Sequence, residues 1–315
     1  MKERIRDVYY WQERTLLKNL NIEWQEHALF KIVDKNGNYG VGAATPDPFY
    51  GETFKTTMAI LELLRDLIEN TENIENIPDI EKKVNEKIKK DNTSKTAIYL
   101  AIYNYINNKY NFEITNLLFP SNNNQFQETL FRVFWKKDVN LFDVVNNIQK
   151  NNQIIKIEYL EKPSELDIKD TLKIFRNTKL WIDFNGLLNY HELKQVLNQL
   201  KNYNVVALEQ PLAKNKESIL KNTEVGYPIY WDESIEQSED ILRLSEITNG
   251  IVVDITKVGG LTNLKKIYDI ANTLNIETVL STRIEHPLNL EYSNKIKNAF
   301  DIVDLDIKHY LQYQV

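Results

Sequence analysis

Three carboxylates set the chemistry this sequence could do. Asp183, Glu209 and Asp232 lie 26 and 23 residues apart, and each closes a short apolar run: Leu180-Trp181-Ile182, Val205-Val206-Ala207-Leu208 and Ile229-Tyr230-Trp231. Helix-like stretches separate them, such as 191–202 with Leu193, Val196, Leu197 and Leu200 at helical spacing. That is the period of strand–helix units, in which a buried parallel strand reads as a continuous apolar run. Successive strands of a parallel barrel bring their C-terminal ends to one rim, so the three carboxylates converge there. Three unpaired anions at one point repel. A hard dication with oxygen ligands, Mg2+ first among them, is the natural counter-charge. Taken singly, each carboxylate could be no more than a strand meeting solvent; in register on consecutive strands they point to a metal site.

The elements that must position them follow a regular alternation. Strands are predicted at 130–135, 154–159, 180–183, 205–209, 229–232, 250–255, 277–281 and 300–307, with helices between. The fold class is α/β, a (β/α)7β TIM-type barrel. Residues 1–121 read as an α+β domain. Its strands are predicted at 4–11 and 28–33, joined by a loop over 12–25. A tight turn at 34–38 supplies positive φ at Asn and Gly, and a third strand follows at 39–43. A Pro/Gly-punctuated loop at 45–52 precedes helices at 53–68, 79–90 and 94–109. The Asn-rich stretch 121–125 divides 1–121 from a barrel domain at 122–315 that includes the C-terminal segment.

Composition removes other classes. The 315 residues are 42% hydrophobic and 27% charged, the balance of a globular chain long enough for a sizeable core. A formal charge of −6 with no Lys/Arg block argues against a nucleic-acid surface. No apolar run approaches a membrane span, and the charged opening lacks a signal-peptide core, so a cytoplasmic protein is expected. The absence of cysteine excludes disulfides, a thiolate nucleophile and Cys-ligated metal. The four histidines show no metal-ligand spacing.

Asp-Phe-Asn-Gly at 183–186, Glu-Gln-Pro-Leu at 209–212, Asp-Glu-Ser at 232–234 and Lys-Val-Gly-Gly-Leu-Thr at 257–262 resemble the enolase superfamily. More closely they resemble its muconate-lactonizing branch, which includes o-succinylbenzoate synthases and dipeptide epimerases. Gly40-Val-Gly-Ala-Ala-Thr-Pro and the 95–104 stretch resemble parts of that branch's capping domain. The resemblance implies that 1–121 is a capping domain, completed by the C-terminus and closing over the barrel, with Mg2+ held by Asp183, Glu209 and Asp232, and removal of a proton α to a substrate carboxylate. Ionising such a carbon puts a second negative charge beside the first; a cation at the forming enediolate lowers that barrier, and a Lys or His base takes the proton.

The resemblance also suggests the bases. Lys156 aligns with the second lysine of a Lys-x-Lys pair on strand two, with Ile154 in place of the first; a shift of two residues would put Glu158 there instead. On strand six the opposing lysine is replaced by Asp254, and Lys257 matches a second lysine. Asp254 also resembles an Asp that supports a strand-seven His in mandelate racemases, but no His ends strand seven, and His286 comes late. If Asp254 faces Lys257 or Lys156 it forms an ion pair and leaves one base. Glu285 resembles the strand-seven rim of the synthases and epimerases. Asp304-Leu305-Asp306 resembles the Asp-x-Asp that holds a substrate α-ammonium, a pairing that electrostatics favours; a solvated edge is the plain alternative.

The expected activity is that of a Mg2+-dependent isomerase or epimerase acting on a small-molecule carboxylate, a dipeptide or an N-acyl amino acid. A lyase of the o-succinylbenzoate synthase type and a barrel that binds metal and ligand without turnover are the alternatives. No nucleic-acid or membrane partner is expected, and homo-oligomer formation stays open.

Overall fold

The computed structural model describes residues 4–17, 23–121, 128–137 and 154–307. Eight parallel strands close a barrel: β4 (Glu128–Trp135), β5 (Ile154–Tyr159), β6 (Lys179–Asp183), β7 (Val205–Glu209), β8 (Ile229–Trp231), β9 (Gly250–Val253), β10 (Glu277–Ser281) and β11 (Ile302–Asp304). They follow one another round the barrel in chain order, and β11 closes onto β4. The expected spans hold, although β9 and β11 stop earlier than read because the chain turns into loops at Asp254 and Leu305. The helix expected between the first two barrel strands falls outside the described residues. The link from β7 to β8 carries a 3-10 turn, Glu217–Asn222, in place of a full helix.

Before the barrel comes a three-stranded antiparallel sheet: β1 (Ile5–Leu16), β2 (Trp24–Asp34) and β3 (Tyr39–Ala44). Here the expectation of a loop over 12–25 is corrected. β1 and β2 stay paired as far as Leu16 and Trp24, because the polar residues read as loop face solvent and bond across the ribbon; Gln12 and Arg14 both donate to Glu26. The turn at Asp34 forms as expected, with the Asp34 carboxylate accepting the Asn36 and Asn38 amides. Positive φ falls on Gly37 alone within it.

Helices α1 (Phe54–Glu69) and α3 (Asn92–Tyr110) cover the sheet, α2 (Ile77–Lys87) packs on those two, and a short turn of helix, α4 (Thr115–Leu118), leads toward the barrel. The α3 helix lies directly on the β3 backbone: a Cβ at Gly40 would stand 2.0 Å from the Ala101 carbonyl oxygen, and one at Gly42 2.1 Å from that of Ala97. Glycine is the residue that permits such an approach. Around the barrel run α5 (Glu165–Ile174), α6 (Tyr190–Leu200), α7 (Ser238–Leu244), α8 (Leu261–Thr273) and α9 (Pro287–Ile296).

The start of α3 also touches the barrel, on the loop between β9 and α8. Asn92 Nδ2 donates to the Lys257 carbonyl at 2.7 Å, Thr96 Oγ1 donates to that of Ile255 at 3.3 Å, and Tyr99 packs against Gly260. Gly259 and Gly260 take φ of 81° and 110° to make that bend.

Candidate active site

Strand alternation builds the site in two layers. One inward residue from each barrel strand forms an apolar floor: Leu130, Ile154, Trp181, Ala207, Tyr230, Val252, Val279 and Ile302. Two residues further along each chain stands a polar one: Arg132, Lys156, Asp183, Glu209, Asp232, Asp254, Ser281 and Asp304. The floor excludes water from below, and the ring above it carries the charge. The three expected metal carboxylates and the two candidate bases Lys156 and Asp254 are therefore members of one ring.

Within the ring, Lys156 is the hub. Its Nζ lies 3.0 Å from Asp183 Oδ2, 2.7 Å from Glu209 Oε1 and 3.0 Å from Asp304 Oδ2, all fully buried. In strand register Glu158 is the Cα partner of Asp183, and Lys156 that of Trp181, so the ammonium reaches the carboxylates by the length of its stem. Asp183, Asp304 and Glu209 hold that amine protonated well above the ordinary range, against the desolvation that opposes them. Glu209 is pushed the other way, upward, by burial first and by Asp183 next, although Lys156 pulls it down. Buried negative charge raises both groups, and for Glu209 the loss of solvent raises it further.

The other carboxylates of the ring have their own cations. Asp304 receives Arg132 through Nε at 3.1 Å and through Nη2, while Arg132 Nη1 donates to the Thr282 carbonyl at 2.7 Å. Lys257 Nζ is bound to the Asp232 side chain and donates to the Asp232 and Val252 carbonyls at 2.9 and 2.7 Å. Asp254 accepts the Lys257 amide at 2.7 Å and Arg283 Nη2 at 3.3 Å. The ion partner expected for Asp254 was Lys257 or Lys156; the structure supplies Arg283.

The remaining candidates stand at the rim. Glu285 is buried at 1% exposure; one oxygen accepts Thr256 Oγ1 at 2.8 Å and the other, Oε1, makes no hydrogen bond. Burial, then Asp254, pushes its carboxyl up to about 7. Glu158 is pushed to about 7 as well, by burial against Arg132, whose Nη1 is 3.6 Å away. Glu233, beside Asp232, is also raised by burial and leaves Oε2 without a hydrogen bond. Asp306 is half-buried beyond the end of β11. His286 caps α9 by accepting the Leu288 amide and meets Glu13 at 3.0 Å, so it lies at the cap–barrel seam.

Over the mouth sits the cap loop 45–52. Arg283 Nη1 lies 3.4 Å from Asp47 Oδ2, and the guanidinium stands 4.6 Å from the centre of the Tyr50 ring. Glu52 accepts the Thr93 and Asp47 amides, and burial pushes it up to about 7.

Arg132, Arg283 and Tyr50 escaped the sequence reading. Arg132 carried a signal: it is a charge within Leu130–Trp135, on the face of Leu130, as Lys156 is on the face of Ile154. Arg283 and Tyr50 carried none, because their meeting depends on how the cap docks. A separate cavity of about 480 Å3, lined by Leu197, Lys201 and Tyr227 among others, opens on the outer face of the barrel away from this ring.

Among the described residues no three acidic or imidazole groups converge in ligand geometry. Asp183 and Glu209 do aim at one point, which the Lys156 ammonium fills, while Asp232 is turned to Lys257. Five ring carboxylates face four cations, Arg132, Lys156, Lys257 and Arg283. All the donors are hard oxygens. A dication and one substrate carboxylate would balance those charges, so the set fits Mg2+ in type and in charge.

The chain is similar to known proteins over most of its length. The family described as enolase C-terminal domain-like matches residues 153–315. An L-Ala-D/L-amino acid epimerase of Flavobacterium johnsoniae is 26% identical over 294 residues, covering 91% of this chain and 84% of that protein. An L-Ala-D/L-Glu epimerase of Bacteroides thetaiotaomicron is 22% identical, covering 87% and 71%. The fold is that of a dipeptide epimerase from Enterococcus faecalis complexed with Mg and the dipeptide L-Leu-L-Tyr. Its TM-score is 0.86 at 22% identity, over 99% of this chain and 92% of that one. No helix among the described residues is long and apolar enough to cross a membrane.

Proposed function

The chain belongs to the enolase C-terminal domain-like family, and from that premise we propose a Mg2+-assisted epimerase that removes the α-proton of a dipeptide. The observation that carries this reading is the ring itself, where Asp183, Glu209 and Asp304 converge on one amine beside a water-excluding floor.

Asp183, Glu209 and Asp232 would hold the metal, whose charge would stabilise the enediolate formed beside the substrate carboxylate. Two of the three carboxylates that keep Lys156 protonated belong to that set; once they are engaged, the amine is free to accept a proton. Lys257, tied to two carbonyls, fixes the Asp232 side chain. Arg132 holds Asp304 in place. Glu285, Asp304 and Asp306 are the acidic groups proposed for the substrate ammonium; with Asp304 already paired to two cations, Glu285 and Asp306 carry most of that role.

Asp254, committed to Arg283, favours a second reading in which Lys156 alone works one face of the substrate, as in an elimination of the o-succinylbenzoate synthase type. The experiment for the leading reading is α-proton exchange of L-Ala-L-Glu in D2O with Mg2+, followed by proton NMR, together with calorimetric Mg2+ titration. Exchange is expected in the wild type, and Asp183→Ala, Glu209→Ala and Asp232→Ala should each lose Mg2+ binding while keeping a native melt. A wild-type protein that exchanges no dipeptide α-proton would refute it.

A further inference from the structure

Inverting a carbon centre requires a proton to leave one face and another to arrive at the opposite face. Lys156 stands on β5, and the strand four places round the barrel is β9. What β9 offers is Asp254, whose two oxygens are spent on the Lys257 amide and on Arg283. With both oxygens already accepting from protein donors, Asp254 has no free position from which to serve the substrate.

The same Arg283 brings a different group to that side. Its guanidinium lies 4.6 Å from the Tyr50 ring and 3.4 Å from Asp47, so the cap loop is anchored over Asp254 at two points. The loop is itself braced. The Asp47 side chain accepts the Phe49 amide at 2.9 Å, Gly51 turns the chain at φ 77°, and Glu52 accepts the Thr93 amide at the start of α3. Around the half-buried Tyr50 hydroxyl the charged groups are Asp232, Arg283, Glu233 and Asp254. Asp232 is a proposed metal ligand, so the hydroxyl shares the mouth with the reacting carbon.

We propose that Tyr50 delivers the proton on the face opposite Lys156; this rests on the reading of the site as an α-proton-abstracting centre. In the step, the Cα–H bond breaks as Lys156 Nζ takes the proton, and the electron pair enters the enediolate. The Tyr50 O–H bond then breaks and a Cα–H bond forms on the other face, leaving the electron pair on the phenolate beside Arg283. After product leaves, the phenolate regains a proton from water and Lys156 returns its own. The sum is an isomerisation with no co-reactant.

The test uses the full chain with Mg2+ and L-Ala-L-Glu in D2O, reading α-proton loss by NMR and the L,D product by chromatography. Tyr50→Phe keeps the ring on Arg283 and removes only the proton. It should retain exchange within about threefold while L,D formation falls by about a hundredfold or more. Tyr50→His, which restores a donor, should regain part of the inversion-to-exchange ratio. An unchanged ratio in Tyr50→Phe, or equal loss of both signals in a variant with a native melt, overturns the assignment. A wild type that exchanges nothing overturns the function itself, so the two failures are distinct.

Discussion

The two sides of the barrel mouth are built by different means. On the side of β4 to β7 and β11, Arg132, Lys156, Asp183, Glu209 and Asp304 all project from strands, are fully buried, and meet at distances of 2.7–3.1 Å where these are of ordinary length. On the side of β9 and β10, Asp254 and Arg283 stand on loops just past the strands, meet at 3.3 Å, and are completed by Asp47 and Tyr50 from the cap. Arg283 and Asp47 are 236 residues apart in sequence. One side is therefore set by strand register and the other by domain docking. A site with one fixed and one docked face can hold its Lys156 cluster still while its second face varies with the cap loop.

This contrast can be broken most sharply at Lys156. Lys156→Met should lower dipeptide α-proton exchange by about 10^3–10^4-fold, the range lost when a general base is removed, whereas Arg283→Gln should act mainly on KM. Wild-type exchange in Lys156→Met, read by NMR in D2O, would erase the division of roles. The next effect is on stability. Arg132→Met leaves a buried Asp304 one cation short and should cost about 3–5 kcal/mol. Arg283→Met, at the partly open mouth, should cost about 1 kcal/mol or less. Urea denaturation of both variants decides it, and equal costs would argue against a strand-built and a docked side.

The smallest effect belongs to the cap seam. His27 is wholly buried, bonds Thr15 and Thr45 through its two ring nitrogens at 2.8 Å each, and lies edge-on to His286 at 5.3 Å, with Glu13 beyond. Burial, aided by His286, lowers its pKa from 6.5 to about 3. The folded state thus resists a proton that the unfolded chain accepts. The contribution is whole above pH 6.5 and is lost as pH falls toward 3, by about 1.4 kcal/mol per pH unit. His27→Gln should flatten the stability profile between pH 6.5 and 4 relative to wild type; parallel profiles would show that the seam does not sense pH through this residue.

The same division explains what could be read from the sequence. Barrel strands announce themselves as continuous apolar runs, so the ends of those runs, and with them Asp183, Glu209 and Asp232, were legible. So was Lys156, as a charge that such a strand must find a partner for. The partners themselves were less so: that Lys156 sits among Asp183, Glu209 and Asp304 depends on stem length and on a register in which Glu158, not Lys156, pairs with Asp183. The ribbon at 12–16 and 24–25 was misread because its cross-strand bonds are polar and most of its side chains are exposed or half-buried, which weakens the alternation that marks a strand. Arg283 and Tyr50 were illegible because no local pattern encodes where a cap loop will land.

The contact of α3 with the β9–α8 loop bears on how such proteins can be inherited. The bend at Gly259 and Gly260, and with it the backbone that carries Asp254 and Lys257, is braced by Asn92, Thr96 and Tyr99 from the other domain. A recombinant gene joining this cap to a related barrel would transplant the brace without the loop it fits, and the loss would fall on the half of the site that handles the second proton. Cap and barrel are separate in architecture but joined through this brace, so a change in either domain at the seam reaches the backbone of Asp254 and Lys257.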